Sequence, residues 1–403
     1  SSLFFFLQMD SSYEDSEDYE EDLCTVIAPE RWRLYLVGVG SIIAVFSVLS
    51  NVLLFVVLSR THRLNSPFVY LMSLSVADIF LSGAYVLLFL VNLLMDEYNS
   101  VLLSSAWWTY MPVTLCCSHL AITSSAFLIV SAAAERYVTI SKIRREFTTC
   151  NRIWLIFTAI SIAFVGKFPL LFEVKVFANE NCTGVTQWTA GIAEFSAEEP
   201  YNTLYKFWFR NIVTVFLPFM LLLCLNIAII RRLHRQHLAA KLFRFGTSTH
   251  RRNVRSATLS LICVTCTYLA SNLLNVVLNM WEFIDRESLL HEDIRPFYTA
   301  SSDLVNFFTV VSSALRLPIY YICNVKIRKE ITRTLNKGKS IFDVREPSKT
   351  SKYPSSTVRY CNSGERIYNN RNGLVVYETR GSGEQATRVG TRLDRLVLAL
   401  ALG

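Results

Sequence analysis

The chain has 403 residues, of which 52% are hydrophobic and 18% are charged, and its formal net charge is +8. The apolar residues form blocks of about 20 residues or more, the length that a helix needs to cross a bilayer, which argues against two or three soluble domains. The positive charges are spread along the chain and do not cluster on one domain, which argues against a nucleic-acid-binding protein.

Residues 1–32 form an acidic arm for which we expect no regular structure. Eight acids fall between positions 10 and 22, where like charges repel and few apolar side chains are available for burial. They are Asp10, Glu14, Asp15, Glu17, Asp18, Glu20, Glu21 and Asp22.

Seven apolar spans follow, and each is long enough to cross a bilayer as a helix. A helix is the open-ended element that satisfies its own backbone hydrogen bonds in lipid. The predicted spans cover residues 33–59, 67–95, 107–140, 153–173, 204–231, 256–283 and 297–323. The predicted fold is therefore an all-α membrane protein, with a seven-transmembrane helix bundle over residues 33–323.

The segments that connect the spans divide by charge. Basic side chains follow spans 1, 3, 5 and 7, whereas acids occupy the arm and the segments after spans 2, 4 and 6. The basic set includes Arg60, Arg63, Lys142, Arg144, Arg145, Arg231, Arg232, Arg235, Lys326 and Arg328; the acidic set includes Asp96, Glu97, Glu180, Glu194, Glu198, Glu199, Asp285 and Glu287. Because cytoplasmic loops are enriched in Lys and Arg, the N-terminus is predicted outside and the C-terminus inside.

The sequence Glu135-Arg136-Tyr137 closes the third span, where apolar sequence gives way to basic residues. Ionisable groups in a membrane helix are costly and tend to mark functional positions. Paired with Glu135, Arg136 is a satisfied charge. Once released, it is a donor on a cytoplasmic cleft, so the pair is a two-state switch that a ligand can bias. The alternative is a pair that merely ends the helix.

Two further positions within the spans are predicted to matter. Asp78 in the middle of span 2 costs about 2.5–3.5 kcal/mol at a helix centre, so it should face the bundle and a partner group, water or ion. Pro318 removes a backbone hydrogen bond and should bend span 7.

Residues 324–335 follow the last span and are predicted to form a short amphipathic cytoplasmic helix. Val325, Ile327, Ile331 and Leu335 lie close to one helical face, and the basic residues can reach lipid headgroups, so we expect the helix to lie on the inner leaflet. A solvated charged helix is the alternative. Residues 336–403 are expected to be a cytoplasmic tail without regular structure.

The ten cysteines include no pair of Cys-x-x-Cys motifs with the spacing of a zinc site. No cluster of His, Cys and Asp and no nucleophile motif stands out. We therefore expect no metal, no cofactor and no enzymatic activity. Asn181-Cys182-Thr183 is an N-glycosylation sequon in the predicted outer loop between spans 4 and 5.

Residues 33–335 resemble the rhodopsin-like (class A) G-protein-coupled receptors. The resemblance rests on Glu135-Arg136-Tyr137 at the inner end of span 3 together with landmarks in order along the chain: Asn51, Asp78, Trp154, Pro218, Pro318 and Tyr321. It implies a plasma-membrane receptor that couples to a heterotrimeric G protein through Glu135, Arg136, Tyr137, Asp78, Pro318 and Tyr321. It also implies phosphorylation of the tail by a receptor kinase and binding of arrestin.

The chain departs from the family pattern at several of these sites. Leu317 stands where the motif of span 7 has Asn, Asn226 where span 5 often has Tyr, and Val254 where span 6 has an acid. Span 6 lacks the usual Trp and Pro. Met111 replaces the cysteine at the outer end of span 3. The disulfide partner of Cys182 is therefore open: Cys24, Cys116 or none.

The class of ligand is predicted from what is absent and from the outer acids. Ser118 replaces the Asp of amine receptors, and span 7 lacks the Lys that carries retinal. The altered span 6, His119 and the stretch around Arg316 and Pro318 resemble invertebrate neuropeptide receptors of the FMRFamide and myosuppressin type. An Arg side chain of such a peptide would find Glu282 or Asp303, and a Phe ring could stack with Trp281, Trp108 or Tyr110.

Three alternatives stay open. The first is a receptor of the same fold for a lipid or a small chemosensory ligand. The second is a transporter or channel, with Lys167, Arg210 and Arg316 lining a polar path, although no internal repeat is visible. The third, a membrane enzyme, has no supporting motif.

Overall fold

The computed structural model of the protein describes residues 30–60, 68–141, 147–179, 182–242, 249–285, 294–343, 366–369, 375–378 and 388–390. Within these residues, seven helical spans are long and apolar enough to cross a membrane, which confirms the predicted seven-helix bundle. Spans 1 to 7 are Arg31–Arg60, Phe68–Tyr98, Val101–Ile140, Thr149–Glu173, Tyr201–Gln236, Ser256–Glu282 and Pro296–Cys323.

Polar capping residues set the starts of spans 3 and 4. The hydroxyl of Ser100 accepts a hydrogen bond from the backbone N–H of Leu103, and that of Thr148 accepts one from Asn151. Each cap satisfies a backbone donor that the first turn of a helix leaves unpaired. Because these caps lie several residues before the predicted starts at 107 and 153, both helices gain a turn or more at this end.

Three of the spans are not uniform α-helices. Span 2 contains a π-helical turn, Val86–Leu90, between the α-helices Phe68–Tyr85 and Val91–Tyr98. Span 4 consists of the helix Thr149–Lys167 and the short turn Leu170–Glu173. Span 5 opens with π-helical segments, Tyr201–Arg210 and Ile212–Phe216, and becomes the α-helix Leu217–Leu242 at Pro218, which lacks a backbone N–H. Spans 6 and 7 lie in the helices Thr249–Ile284 and Arg295–Cys323.

The spans pack as a closed ring around span 3. Span 1 packs against spans 2 and 7, span 6 against spans 5 and 7, and span 3 against spans 2, 4 and 5. One apolar cluster surrounds the Arg136 end of span 3 and includes Tyr70, Leu128, Leu222 and Ile229. Many outward-facing side chains are apolar and exposed, for example Ile42, Phe80 and Trp154, as expected for a surface in contact with lipid.

A β-hairpin, which sequence analysis does not predict, connects spans 4 and 5. Strands β1 (Val174–Ala178) and β2 (Trp188–Ile192) are antiparallel, with Val174 opposite Ile192. Val174, Val185 and Ala190 pack against Trp107 and Met111 of span 3. The hairpin therefore forms one wall at the end of the bundle opposite Arg136.

A helix follows span 7, as predicted, and extends from Val325 to Asp343. The side-chain oxygen of Asn324 accepts hydrogen bonds from the backbone N–H groups of Lys326 and Ile327, which caps the helix. Ile327 and Ile331 are buried with Leu54 and Leu71 of the bundle. Two residues of the predicted apolar face are therefore packed against spans 1 and 2, whereas Leu335 is exposed.

The C-terminal tail contains regular structure that was not expected. Strands β3 (Arg366–Asn369), β4 (Val375–Glu378) and β5 (Arg388–Gly390) form an antiparallel sheet in that order. Valine, isoleucine and tyrosine are common in these strands and favour extended backbone. The acidic arm up to residue 29 lies outside the described residues.

Candidate functional site

The carboxylate of Glu135 is bound by Arg152 of span 4. Arg152 donates from Nη2 to Oε1 at 2.8 Å and from Nε to both carboxylate oxygens at 3.1 and 3.2 Å. Both side chains are more than nine-tenths buried. The hydrogen bonds of Glu135 thus go to Arg152 and not to Arg136 as expected, because span 4 starts early enough to place Arg152 on its first helical turn.

Arg136 faces a small cavity at the end of span 3. In the described part of the chain its guanidinium forms no hydrogen bond or ion pair. The cavity, of about 20 Å³, is lined by Arg136 together with Ser260 of span 6, Tyr320 of span 7 and Asn324. Arg136 thus supplies an unsatisfied fork of donors between spans 3, 6 and 7.

The tyrosine that lines the cavity beside Arg136 is Tyr320 and not Tyr321. Tyr320 is 1% exposed and lines the cavity, whereas Tyr321 is 44% exposed on the outside of the bundle. The structure thus places Tyr320, and not the predicted Tyr321, at the cavity, because consecutive residues on a helix point about 100° apart. Tyr137 packs against the apolar cluster around span 3.

Asp78 pairs with Arg316 across the bundle, between spans 2 and 7. Nη1 of Arg316 donates to Oδ2 of Asp78, and both side chains are at most 4% exposed. The expected partner of Asp78 is thus supplied by the chain itself. A chain of short polar side chains lies beside the pair and joins spans 1, 2 and 7: Ser47, Asn51, Ser82 and Ser313. Pro318 follows two residues after Arg316, inside the helix.

A second cavity, of about 80 Å³, lies between spans 2 to 7 on the other side of the bundle. A buried polar space of this size holds several waters or a small ligand group. His119 lines it and lies seventeen residues before Arg136, roughly 25 Å along the helix. Other lining residues are Leu115, Ser118, Lys167, Thr214, Phe219, Tyr268, Asn272, Asn275 and Asn306. We call this space the Lys167 cavity.

Of the six side chains predicted to bind ligand, His119 is the one among the lining residues. Trp108 stacks edge-on against Trp107, and Tyr110 donates a hydrogen bond to the carbonyl of Leu87, so both belong to the wall between spans 2 and 3. Trp281 packs with Leu278 and Tyr298, and Glu282 follows it near the end of span 6. Sequence analysis did not assign Asn272, Asn275 or Asn306 to the ligand site, although the Asn in place of the family Trp in span 6 is Asn272.

Asp303 is already bound to an arginine, Arg33 of span 1. Nε of Arg33 donates to Oδ2 of Asp303 at 2.8 Å; the carboxylate is 7% exposed and the guanidinium 28%. This pair closes the contact between spans 1 and 7 at the end opposite Arg136. It shows that Asp303 presents a carboxylate in a geometry that accepts a guanidinium.

A third buried ion pair lies near the Lys167 cavity. Nη1 of Arg210 donates to both carboxylate oxygens of Glu173, at 2.9 and 2.7 Å, and the hydroxyl of Tyr201 donates to the same carboxylate at 2.6 Å. Glu173 is fully buried. Arg210 therefore has a structural partner at the end of span 4, and this part of the polar path expected of a transporter is closed by an ion pair.

Cys182 is in a disulfide, whereas Cys116 is a buried free thiol, so Cys116 is not its partner. Cys24, the other candidate partner of Cys182, stays a prediction because it lies outside the described residues. The predicted glycosylation site, Asn181, also lies outside them. The position of the family cysteine is occupied by Met111, which is fully buried. No group of three or more potential metal ligands occurs among the described residues.

Comparison with known proteins gives a consistent result. The family model described as 7 transmembrane receptor (rhodopsin family) matches residues 50–321, more than half of the chain. The chain is 24% identical over 344 residues to the probable G-protein coupled receptor frpr-1 of Caenorhabditis elegans, covering 78% of this chain and 82% of that protein. It is 22% identical over 303 residues to the FMRFamide receptor of Drosophila melanogaster, covering 72% of this chain and 51% of that protein.

A shorter match is to the sphingosine 1-phosphate receptor 1 of Danio rerio. The identity is 26% over 148 residues, which cover 36% of this chain and 39% of that protein.

Proposed function

Because the chain belongs to the rhodopsin family of seven-transmembrane receptors, we propose that it is the receptor of an extracellular neuropeptide and transmits peptide binding to a heterotrimeric G protein. The proposed peptide is amidated, contains arginine and resembles FMRFamide. Similarity to the Drosophila FMRFamide receptor over 303 residues supports this class of ligand. Proteins of this family are signalling receptors and not enzymes, and the chain is a multi-pass membrane protein.

The proposed orientation in the plasma membrane has the N-terminus outside. Arg60, Arg152 and Arg328 lie at the same end of the bundle as Arg136, together with most other basic residues near the spans. Because this end would face the cytoplasm, the Lys167 cavity and the pair of Arg33 with Asp303 would open toward the extracellular side.

The ion pair between Arg33 and Asp303 is the observation that carries the peptide proposal. A guanidinium of the ligand is chemically equivalent to that of Arg33. Because the side chain of Arg33 is 28% exposed, a ligand arginine can approach Asp303 and displace Arg33 from it. Exchange would release span 1 from span 7. The energy of the new ion pair would thereby be coupled to a change in packing between two spans.

At the cytoplasmic end, the cavity at Arg136 supports docking of a G protein. A helix of the partner can place a backbone or side-chain acceptor against the free guanidinium, in a helix-in-groove contact. Receptor kinase and arrestin are proposed partners of the tail. The helix Val325–Asp343 is proposed to contact membrane lipids through its basic residues, among them Lys326 and Arg328.

A screen of amidated peptides on cells that express the receptor tests this function. Calcium and cAMP readouts should report activation at nanomolar to micromolar concentrations by peptides that end in Arg-Phe-amide. Cells that carry the Asp303→Asn variant at equal surface expression are the control. Failure of every Arg-containing amidated peptide to activate the wild type would contradict the proposal.

A receptor for a lipid or another small ligand is the second candidate. The small Lys167 cavity, of about 80 Å³, and the match to the zebrafish receptor favour it. Activation by lysolipids in the same readouts, with no response to peptides, would select this candidate.

A further inference from the structure

The charge of the Lys167 cavity is opposite to that of the acidic side chains predicted to bind ligand. Among the described residues that line it, Lys167 carries the one formal charge, and no carboxylate is present. The carboxylate of Asp303 belongs to a separate pair with Arg33 and does not line this cavity. A ligand group that enters here therefore meets a cation and neutral polar groups.

Lys167 lies at the last residue of the helix Thr149–Lys167, just before Pro169, and is only 7% exposed. Within the described part of the chain, its ammonium makes no hydrogen bond and no ion pair. The buried carboxylate of Glu173, six residues on, is already occupied by Arg210 and Tyr201. Burial of an ammonium that lacks a direct ion-pair partner is costly, so an anion that reaches Lys167 gains a strong interaction.

His119 is a second nitrogen group without a partner in this cavity. Its imidazole forms no hydrogen bond with any described residue, although it lines the same space as Lys167. By contrast, the hydroxyls of Ser118 and Thr214 donate to backbone carbonyls of their own helices. The amide nitrogens of Asn272 and Asn306 are likewise used within their helices. Lys167 on span 4 and His119 on span 3 therefore remain as nitrogen donors for a ligand, beside the amide of Asn275 and the hydroxyl of Tyr268.

Apolar side chains complete the cavity. Leu115 and Ile122 of span 3, Phe219 of span 5 and Val276 of span 6 line it beside the polar groups. This combination suits a small amphiphilic group with an oxygen-rich, negatively charged end and a short apolar end.

We propose that the Lys167 cavity is an oxyanion-binding site, in which Lys167 and His119 donate hydrogen bonds to a carboxylate or phosphate. The ammonium supplies charge, and the imidazole supplies a directed N–H. The site goes beyond the peptide function because it requires a negative group and is separate from the arginine site at Asp303. The oxyanion belongs either to the ligand that binds at Asp303 or to a separate small amphiphile.

The first experiment measures thermal stabilisation of the purified receptor by four probes with the same six-carbon tail: hexanoate, hexyl phosphate, hexylammonium and 1-hexanol. We expect the two anions to raise the unfolding temperature by a few degrees, while the amine and the alcohol do not. In Lys167→Met, the apparent affinity for hexanoate should fall about tenfold or more. Lys167→Arg should retain much of the effect, because the positive charge is kept.

Lys175→Met is the matched control. Lys175 is exposed on strand β1 at the same end of the bundle, so this variant removes the same charge without touching the cavity. It should bind the anions like the wild type. Equal stabilisation of the wild type by all four probes, or equal losses in Lys167→Met and Lys175→Met, would overturn the proposal. Reduced yield of Lys167→Met does not obscure the result, since Lys167→Arg and His119→Phe test the same site.

A second experiment identifies the source of the oxyanion. Peptides identical except for a C-terminal acid or amide are compared in the signalling assay on wild type and Lys167→Met. A change of fivefold or more in the acid-to-amide potency ratio assigns the oxyanion to the peptide. An unchanged ratio together with lost hexanoate binding assigns it to a separate amphiphile. If no peptide activates the wild type, the peptide function fails, while the hexanoate result still stands or falls independently.

Discussion

The carboxylate of Glu135 and the guanidinium of Arg152 form a buried pair that joins span 3 to span 4, in which both Nε and Nη2 of Arg152 donate hydrogen bonds. Glu135 is thereby fixed by tertiary contact, and the adjacent Arg136 is left to face the cavity at the end of span 3. The motif that looks like a closed local pair along the sequence is in fact opened: Glu135 binds Arg152, whereas Arg136 lines a cavity. Arg136 is therefore the residue through which we propose that a G protein docks.

Loss of one member of this pair should destabilise the fold. In Glu135→Gln, Arg152 becomes a buried charge without a carboxylate, and we expect a loss of about 3–5 kcal/mol. Thermal unfolding of the purified protein measures it, and the exchanged variant Glu135→Arg/Arg152→Glu should recover part of the loss. The control is Glu330→Gln, which breaks an exposed pair with Arg333 and should change stability by less than about 1 kcal/mol. Equal effects of the two Gln variants would contradict the prediction.

The pair of Asp78 with Arg316 should be replaceable for folding but not for signalling. Asp78→Leu or Arg316→Met alone leaves an uncompensated buried charge and should sharply reduce surface expression. The double variant Asp78→Leu/Arg316→Met removes both charges and should restore expression, because apolar side chains of similar size often replace a buried ion pair at little cost. We expect this double variant to respond poorly to agonist, since the serine network between spans 1, 2 and 7 then lacks its charged neighbour. A normal response at normal expression would show that the pair has a structural role alone.

Arg33 and Asp303 should affect peptide potency in opposite directions. Asp303→Asn removes the acceptor of the ligand arginine and should lower potency about tenfold or more. Arg33→Gln removes the internal competitor and should raise potency severalfold. Arg31→Gln is the control. Arg31 carries the same charge and is exposed, and it has no carboxylate partner among the described residues. Loss of potency in both Asp303→Asn and Arg33→Gln would mean that the pair merely holds spans 1 and 7 together.

Tyr320 and Tyr321 should differ in their importance for coupling. Tyr320→Leu alters the wall of the cavity at Arg136 and should reduce the maximal G-protein response, whereas Tyr321→Leu changes an exposed side chain and should leave it nearly unchanged. Both variants lose one ring and one hydroxyl, so each serves as the control of the other. Agonist-stimulated nucleotide exchange at matched surface expression is the measurement, and the reverse order of effects would contradict the structure.

The contact between spans 4 and 5 should require a glycine at position 166. A Cβ atom at Gly166 would lie 2.7 Å from Cγ2 of Thr214, so Gly166→Val should cost about 1–3 kcal/mol through overpacking. Gly38→Val is the matched control, because no atom lies within 4 Å of a Cβ at Gly38. Thr214→Ser removes the clashing methyl group and should partly rescue Gly166→Val in a thermal unfolding assay. An absence of rescue would place the strain elsewhere.

The number and order of the spans were predictable because hydrophobic length is a local property of the chain. The helix starts were less predictable, because the caps at Ser100 and Thr148 lie outside the apolar blocks that define the spans. The earlier start of span 4 moves Arg152 from the predicted loop into the helix, where it becomes the buried partner of Glu135. The hairpin between spans 4 and 5 was missed because its few valines and aromatic residues are too short a signal within a polar segment.

The sequence by itself determined that this protein is a seven-span membrane receptor of the rhodopsin family, since bilayer thickness requires long apolar helices and the landmark residues follow one another along the chain. Only the tertiary structure decided which charges meet. Glu135 with Arg152, Asp78 with Arg316 and Arg33 with Asp303 are each brought together by helix packing, from 17 to 270 residues apart. The same packing leaves Arg136, Lys167 and His119 facing cavities, because a cavity is bounded by several helices and has no signature on any one of them.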